Sequence, residues 1–91
     1  MRIAAFYDKA VADNRISPAH ISLYFALLHD AYNTGVDLLL PVREHLMQRC
    51  KVYSTVTYHR CLRDLHHYGY IDYRPSKAAG RSRVEMIDLR L

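Results

Sequence analysis

The residues of this chain that could do chemistry are mostly basic, and most of them lie in one stretch. Residues 42–83 carry nine of the 13 Lys and Arg residues and three of the nine Asp and Glu residues. Residues 1–41 carry three basic and four acidic groups, and residues 84–91 carry one basic and two acidic groups. Positive charge concentrated in this way faces either water or a polyanion. The spacing of the side chains has to distinguish the two.

Catalytic and metal-binding patterns are missing from the sequence. There is no nucleophile and base pair, no glycine-rich phosphate loop and no paired carboxylate motif. The six His and two Cys form no Cys-x-x-Cys or His-x3-His pair, and adjacent His66 and His67 diverge by about 100° on a helix. Cys50 and Cys61 fall on apolar stripes, which indicates buried, reduced thiols. We therefore expect no enzyme, no cofactor and no metal.

Composition indicates a folded module. The 91 residues are 51% hydrophobic and 24% charged, which disfavours disordered and low-complexity structure and leaves room for one core. The most apolar window, residues 21–28, is much shorter than the roughly 20 residues of a membrane span. Two cysteines are too few for a disulfide scaffold, and no secretion signal is seen at the N-terminus. The expected location is the cytoplasm, away from membranes.

The elements that must position the basic residues begin with two helices. Residues 1–15 predict an amphipathic N-terminal helix, because apolar side chains recur on one stripe, namely Ile3, Phe6, Tyr7, Ala10 and Val11. Residues 16–91 form the second predicted unit. Ser17 as N-cap and Pro18 as first residue predict a helix to about Asn33, with Gly35 as its left-handed stop. This helix is apolar on most sides and should be central.

Shorter elements follow. A strand is expected at residues 38–40, then helical spacing to Cys50, a corner at residues 51–54 without glycine, and a helix over residues 55–68 capped by Ser54. From Ile71 the period changes to two, which predicts two strands joined by a hairpin loop over residues 75–82, with a bulge or bend near Met86. The fold class is therefore mainly α with a small β-hairpin, an α+β domain.

One set of residues carries a resemblance to a known family. The set is Leu46, Val52, Ser54, Thr57, Tyr58, Leu62, Leu65, Gly69 and Ile71. With the order of helix, short strand, two helices and basic hairpin, it resembles the winged helix-turn-helix family, whose recognition helix ends in a Leu-x-x-x-Gly-x-Ile segment. The segment from Tyr58 to Gly80 is also similar to small winged-helix proteins of bacterial plasmids and mobile elements, mostly uncharacterised proteins described as transcriptional regulators.

The resemblance implies a double-stranded DNA partner. Three core helices, an N-terminal helix and a wing sheet of two or three strands would place helix 55–68 in the major groove, which accepts one helix. The wing at residues 75–83 would lie along the backbone or enter the minor groove, and the preceding helix would cross the backbone. The residues expected to contact DNA are Arg43, Arg49, Lys51, Ser54, Thr55, Thr57, His59, Arg60, Arg63, Lys77, Arg81 and Arg83.

Other interpretations remain open at this point. The basic residues could be solvated helix charges, with Arg60 paired to Asp64. The domain could be a protein-interaction scaffold, or could bind RNA, which the deep narrow groove of A-form RNA disfavours. A homodimer through the N-terminal helix or the C-terminal strand would enlarge a small DNA footprint. Core packing is the expected role of four tyrosines, Tyr24, Tyr32, Tyr58 and Tyr73.

Overall fold

Four helices and a three-stranded antiparallel sheet form the described part of the chain. The computed structural model describes residues 2–76 and 82–90. The elements in chain order are α1 (Arg2–Val11), α2 (Pro18–Thr34), β1 (Leu38–Leu39), α3 (Arg43–Cys50), α4 (Thr55–His67), β2 (Ile71–Arg74) and β3 (Arg83–Met86). The predicted α+β class and the predicted order of elements are confirmed.

Helix α2 begins and ends where the sequence predicts. Ser17 is the N-cap, and its backbone N–H donates to Nδ1 of His20 at 2.9 Å while its side chain accepts from the backbone N–H of His20. Gly35 ends the helix with a left-handed φ of 74°, and its N–H donates to the carbonyl of Ala31. Both ends of α2 therefore have partners for backbone groups that a helix leaves unpaired.

The core is built around α2. Leu23, Tyr24 and Leu27 of this helix are almost fully buried. Helix α1 adds Phe6, whose ring stacks on Tyr24 with centroids 3.9 Å apart and planes 9° apart. Phe6 and Ala10 belong to the same cluster as the core residues of residues 16–91. The N-terminal helix thus shares the core of the rest of the chain.

The expectation that Tyr32 packs in the core is wrong, and the apolar stripe of α1 is buried only in part. On α1, Ile3, Tyr7 and Val11 of the predicted stripe stay 48%, 61% and 66% exposed. Tyr32, near the end of α2, is 83% exposed, whereas Tyr24 is buried as predicted. Helical spacing identifies an apolar stripe, but only the part of the stripe that meets other elements is buried, and on α1 that part is Phe6 and Ala10.

The corner between α3 and α4 is closed by Lys51. This residue adopts a left-handed conformation, φ 63° and ψ 28°, and its N–H donates to the carbonyl of Met47. The next N–H, of Val52, also bonds to the Met47 carbonyl at 3.1 Å, and the Val52 side chain is buried. The Ser22 hydroxyl donates to the carbonyl of Cys50, which attaches the end of α3 to α2. A lysine thus takes the conformation that glycine usually supplies.

The sheet has the strand order β1-β3-β2, and both pairings are antiparallel. The inner face is buried against the helices and carries Leu39, Ile71, Tyr73, Val84 and Met86. Strand β3 ends at Met86, where the sequence predicts a bulge or bend, and the Met86 N–H donates to the carbonyl of Asp37 at 2.9 Å. Strand β3 therefore has a hydrogen-bonded strand on each side, β1 on one and β2 on the other.

A polar cluster joins the segment between α1 and α2 to the region after α4. The Asp13 carboxylate accepts three bonds from the backbone N–H, Nε and Nη2 of Arg15, and a fourth from the hydroxyl of buried Tyr70 at 3.0 Å. The Arg15 guanidinium lies 3.9 Å from the ring centroid of Tyr68. These bonds hold the pKa of Asp13 well below its usual value, with the Arg15 side chain the largest cause.

Candidate nucleic-acid interface

Helix α4 carries the centre of the candidate interface, and Ser54 determines where it begins. The Ser54 hydroxyl oxygen accepts the N–H of Thr57 at 3.2 Å. One side of the helix is buried by Tyr58, Cys61, Leu62 and Leu65, and the helix contacts α2 and β2 through this side. The burial pattern leaves the opposite side of α4 in solvent.

The opposite side presents Val56, Arg60, Arg63 and His67, which we call the α4 stripe. All four are exposed, and Val56 is 72% exposed. At about 100° per residue they lie within about 60° of one another around the helix axis. The structure therefore brings two of the predicted DNA-contacting arginines, Arg60 and Arg63, onto one continuous exposed line.

The guanidinium groups of Arg60 and Arg63 have no acidic partner among the described residues. The local pair between Arg60 and Asp64 does not form. Instead, the Asp64 carboxylate is bonded to buried His20. Nδ1 of His20 accepts the backbone N–H of Ser17, so Nε2 carries the ring hydrogen and donates to Asp64 at 2.9 Å. The two arginines of the α4 stripe therefore form no ion pair in the described part of the chain, and Asp64 is bonded to α2 instead.

The predicted residues at the amino end of α4 differ in accessibility. Ser54 and Thr55 are exposed, whereas Thr57 and His59 are half-buried. The His59 ring lies 5.2 Å from the ring of Tyr58, edge to face. The Ser54 hydroxyl accepts one bond as the N-cap and keeps its own hydrogen for a further acceptor. Ser54 and Thr55 can thus donate to an anion without disrupting the helix.

The basic residues of α3 and the corner have different surroundings. Arg49 forms a two-fold bond to Asp30 of α2, at 2.8 and 2.7 Å. Arg43 bonds to its neighbour Glu44 at 3.0 Å, an exposed pair of little strength. Lys51 is exposed and is unpaired in the part of the chain that the structure describes. Arg49 therefore joins α3 to α2, and Lys51 is the free cation of this region.

The outer face of the sheet continues the basic surface in part. Arg83 is exposed on β3 and lies directly across from Arg74 on β2. Asp72 and Glu85, two residues away on the same strands, also face each other, and Nε of Arg74 is 3.6 Å from Asp72. The face is therefore mixed in charge, with its basic end toward the hairpin loop. Lys77 and Arg81, predicted on that loop, lie outside the described residues.

Arg74 is an exposed cation of this surface that the sequence prediction did not name. It is the last residue of β2, and the two-residue period that places Tyr73 inside the protein places Arg74 outside. The alternation of Ile71 to Arg74 indicated that Arg74 is exposed, but only the strand register shows that it lies opposite Arg83.

Helix α4 and the outer face of the sheet meet at His66. The backbone N–H of Tyr73 donates to Nδ1 of His66 at 3.0 Å, and the same nitrogen lies 3.9 Å from the Asp72 carboxylate. These contacts join the carboxyl end of α4 to β2, beside the strand pair that leads into the loop. The α4 stripe and the base of the hairpin are therefore neighbouring surfaces.

Within residues 2–76 and 82–90, no group of three or more His, Cys, Asp or Glu side chains is arranged to hold a metal ion. In the same residues, no helix is both long enough and apolar enough to cross a bilayer. Comparisons with protein-family models, curated proteins and solved structures found no match to this chain.

Proposed function

We propose that this chain is a winged helix-turn-helix domain that binds double-stranded DNA with α4 in the major groove. The observation that carries the proposal is the pair Arg60 and Arg63, exposed on one line of α4 and unpaired among the described residues. Two exposed arginines without an ion-pair partner in the described ranges match the guanine acceptors O6 and N7, to which a guanidinium bonds bidentately.

The arrangement of elements supports the winged-helix proposal. Helices α3 and α4 meet at the Lys51 corner, and β2 and β3 follow α4 as an antiparallel pair. The bond between His66 and Tyr73 places this hairpin beside the carboxyl end of α4. A wing in this position would follow the DNA backbone next to the groove that holds α4.

The remaining cations contribute to the affinity for DNA and to the position of the protein on it. Lys51 and Arg83 are exposed and unpaired in the described ranges, and we assign them to phosphate contacts. The Ser54 and Thr55 hydroxyls would hold a phosphate at the amino end of α4. Each neutralised phosphate makes the slope of log binding constant against log salt concentration more negative by about 0.9. Lys51→Ala and Arg83→Ala should therefore each make this slope less steep by that amount.

The proposed mechanism of regulation is occlusion of a promoter or origin. Helix α4 and one wing form a small footprint, so a homodimer on two half-sites would supply useful affinity and specificity. Ile3, Tyr7 and Val11 on α1, together with Ile87 after β3, are exposed apolar side chains for such contacts. Analytical ultracentrifugation of the protein, free and on DNA, tests this part. A monomer in both conditions would refute the dimer and leave DNA binding standing.

Selection from random duplex DNA, followed by binding measurements, tests DNA binding itself. The wild-type protein should enrich one motif containing guanine, and Arg60→Ala with Arg63→Ala should abolish the enrichment while circular dichroism shows a folded protein. The control is Lys9→Ala with Arg90→Ala, which also removes two positive charges. Lys9 lies on α1, and Arg90 is paired with Asp88, so neither belongs to the α4 stripe. The proposal fails if both double variants weaken binding equally, because binding would then follow net charge alone.

A protein-interaction scaffold is the second candidate, and exposed aromatic residues favour it. Tyr7 and Tyr32 are 61% and 83% exposed, and their rings are available to a protein partner, because aromatic residues are enriched at protein interfaces. A scaffold would bind its partner with little salt dependence and would lose binding on Tyr32→Ala. It would also tolerate Arg60→Ala with Arg63→Ala, the reverse of the DNA-binding expectation.

A further inference from the structure

The amino end of α4 exposes more apolar surface than the fold requires. Tyr53 and Val56 are 69% and 72% exposed. A residue in the position of Tyr53, just before the N-cap, often packs against the fourth helical residue, here Tyr58, but Tyr53 stays in solvent. Val56 lies on the exposed side of a helix, where a β-branched residue is a weaker helix former than alanine. Neither side chain is explained by packing or by helix stability.

Val56 lies on the same line as the two arginines of the α4 stripe. Along the helix axis its Cα is about 6 Å before that of Arg60, because each residue rises by about 1.5 Å. Two base pairs of B-DNA rise about 6.8 Å, at about 3.4 Å each. If the axis of α4 runs along the DNA axis, a helix that places Arg60 against one base pair places the two methyl groups of Val56 against a base about two pairs away.

We infer that Val56 determines specificity by contacting the 5-methyl group of thymine, about two base pairs from a guanine bound by Arg60. The inference rests on the proposed DNA binding and deepens it. In the major groove, thymine presents an acceptor and a methyl group, and an apolar side chain recognises the methyl group. The valine side chain has no hydrogen-bond donor or acceptor, so at that position it favours a base with a methyl group and makes no other base-specific contact. The same chemistry extends to 5-methylcytosine, which carries the methyl group at the same place.

The test uses the full chain and the duplex motif enriched by it. The guanine whose selection is lost in Arg60→Ala identifies the base pair that Arg60 contacts. The thymine about two pairs from this guanine is then replaced by deoxyuridine, which lacks only the methyl group. Burial of one methyl group corresponds to about fourfold in affinity. The wild-type protein should bind the deoxyuridine duplex about fourfold more weakly, and 5-methylcytosine should bind about fourfold more tightly than cytosine at this position.

Val56→Ala supplies the matched comparison, because alanine is the better helix former and the variant should fold. It should bind the thymine and deoxyuridine duplexes more nearly equally than the wild-type protein does, because the shorter side chain withdraws from the methyl group, whereas the control Val36→Ala, 55% exposed between α2 and β1, should keep the wild-type ratio. Equal binding of the thymine and deoxyuridine duplexes by the wild-type protein would overturn the inference. So would an unchanged ratio in Val56→Ala. Failure to bind any duplex would instead refute the proposed function itself.

Discussion

Replacing Lys51 by glycine should stabilise the protein, and the reason is one backbone angle. Lys51 has φ 63° at the end of α3 and is the single non-glycine residue with positive φ within the described residues. A side chain in this conformation crowds its own backbone, and glycine has no Cβ to crowd. Lys51→Ala removes the charge but keeps Cβ, so the comparison of Lys51→Gly with Lys51→Ala isolates the backbone effect.

The magnitude follows from two opposing effects. The left-handed conformation costs a residue with a Cβ about 1 to 2 kcal/mol. The greater freedom of glycine in the unfolded chain opposes the gain by about 0.5 to 1 kcal/mol. Lys51→Gly should therefore be about 0.5 to 1 kcal/mol more stable than Lys51→Ala. For a domain of this size that difference raises Tm by about 2 to 8 °C, at about 4 to 8 °C per kcal/mol.

Urea unfolding followed by far-ultraviolet circular dichroism measures this difference. Gln48, exposed inside α3, is the control position, because glycine there should be about 1 kcal/mol less stable than alanine. A Lys51→Gly protein no more stable than Lys51→Ala would refute the left-handed corner. Duplex binding is an independent readout. Both Lys51 variants should lose the same affinity if the ammonium group contacts phosphate, and unequal losses would show that the backbone change matters instead.

Three further predictions concern the interior. Tyr70→Phe removes the hydroxyl that donates to Asp13 and should cost about 1 to 2 kcal/mol in urea unfolding, whereas Tyr32→Phe on the surface should be neutral. Because the pKa of Asp13 is lowered by its bonds to Arg15, its contribution to stability is present above the usual carboxyl value of 3.8 and fades as the pH falls below it. Unfolding measured from pH 7 to pH 2 should show a shallower loss in Asp13→Asn, and an equal loss would contradict the assignment. Burial raises the pKa of the Cys50 and Cys61 thiols, so iodoacetamide should label both only as fast as the chain unfolds. Rapid labelling of the folded protein would show that the thiols are accessible.

Local signals in the sequence predict the helices well. Ser17, Pro18 and Gly35 mark the ends of α2 correctly, and Ser54 marks the start of α4, because capping depends on side chains within a few residues of the helix end. The change from helical spacing to alternation at Ile71 likewise marks β2. The corner at Lys51 was less clear, since no glycine signals the left-handed turn that the lysine itself adopts.

The sequence by itself determined the order of elements, the buried stripe of α4 and hence the side on which Arg60 and Arg63 lie, because these depend on periodicity along one chain segment. Only the tertiary structure decided which charges are free. Asp30 and Asp64 are 19 and 44 residues from their partners Arg49 and His20, and these bonds exist because packing brings distant helices together. In the same way, packing against Tyr24 and Tyr70 buries Phe6, whereas Tyr7, the next residue of α1, stays in solvent. Periodicity assigns a residue to a face, and the neighbouring elements decide whether that face is covered.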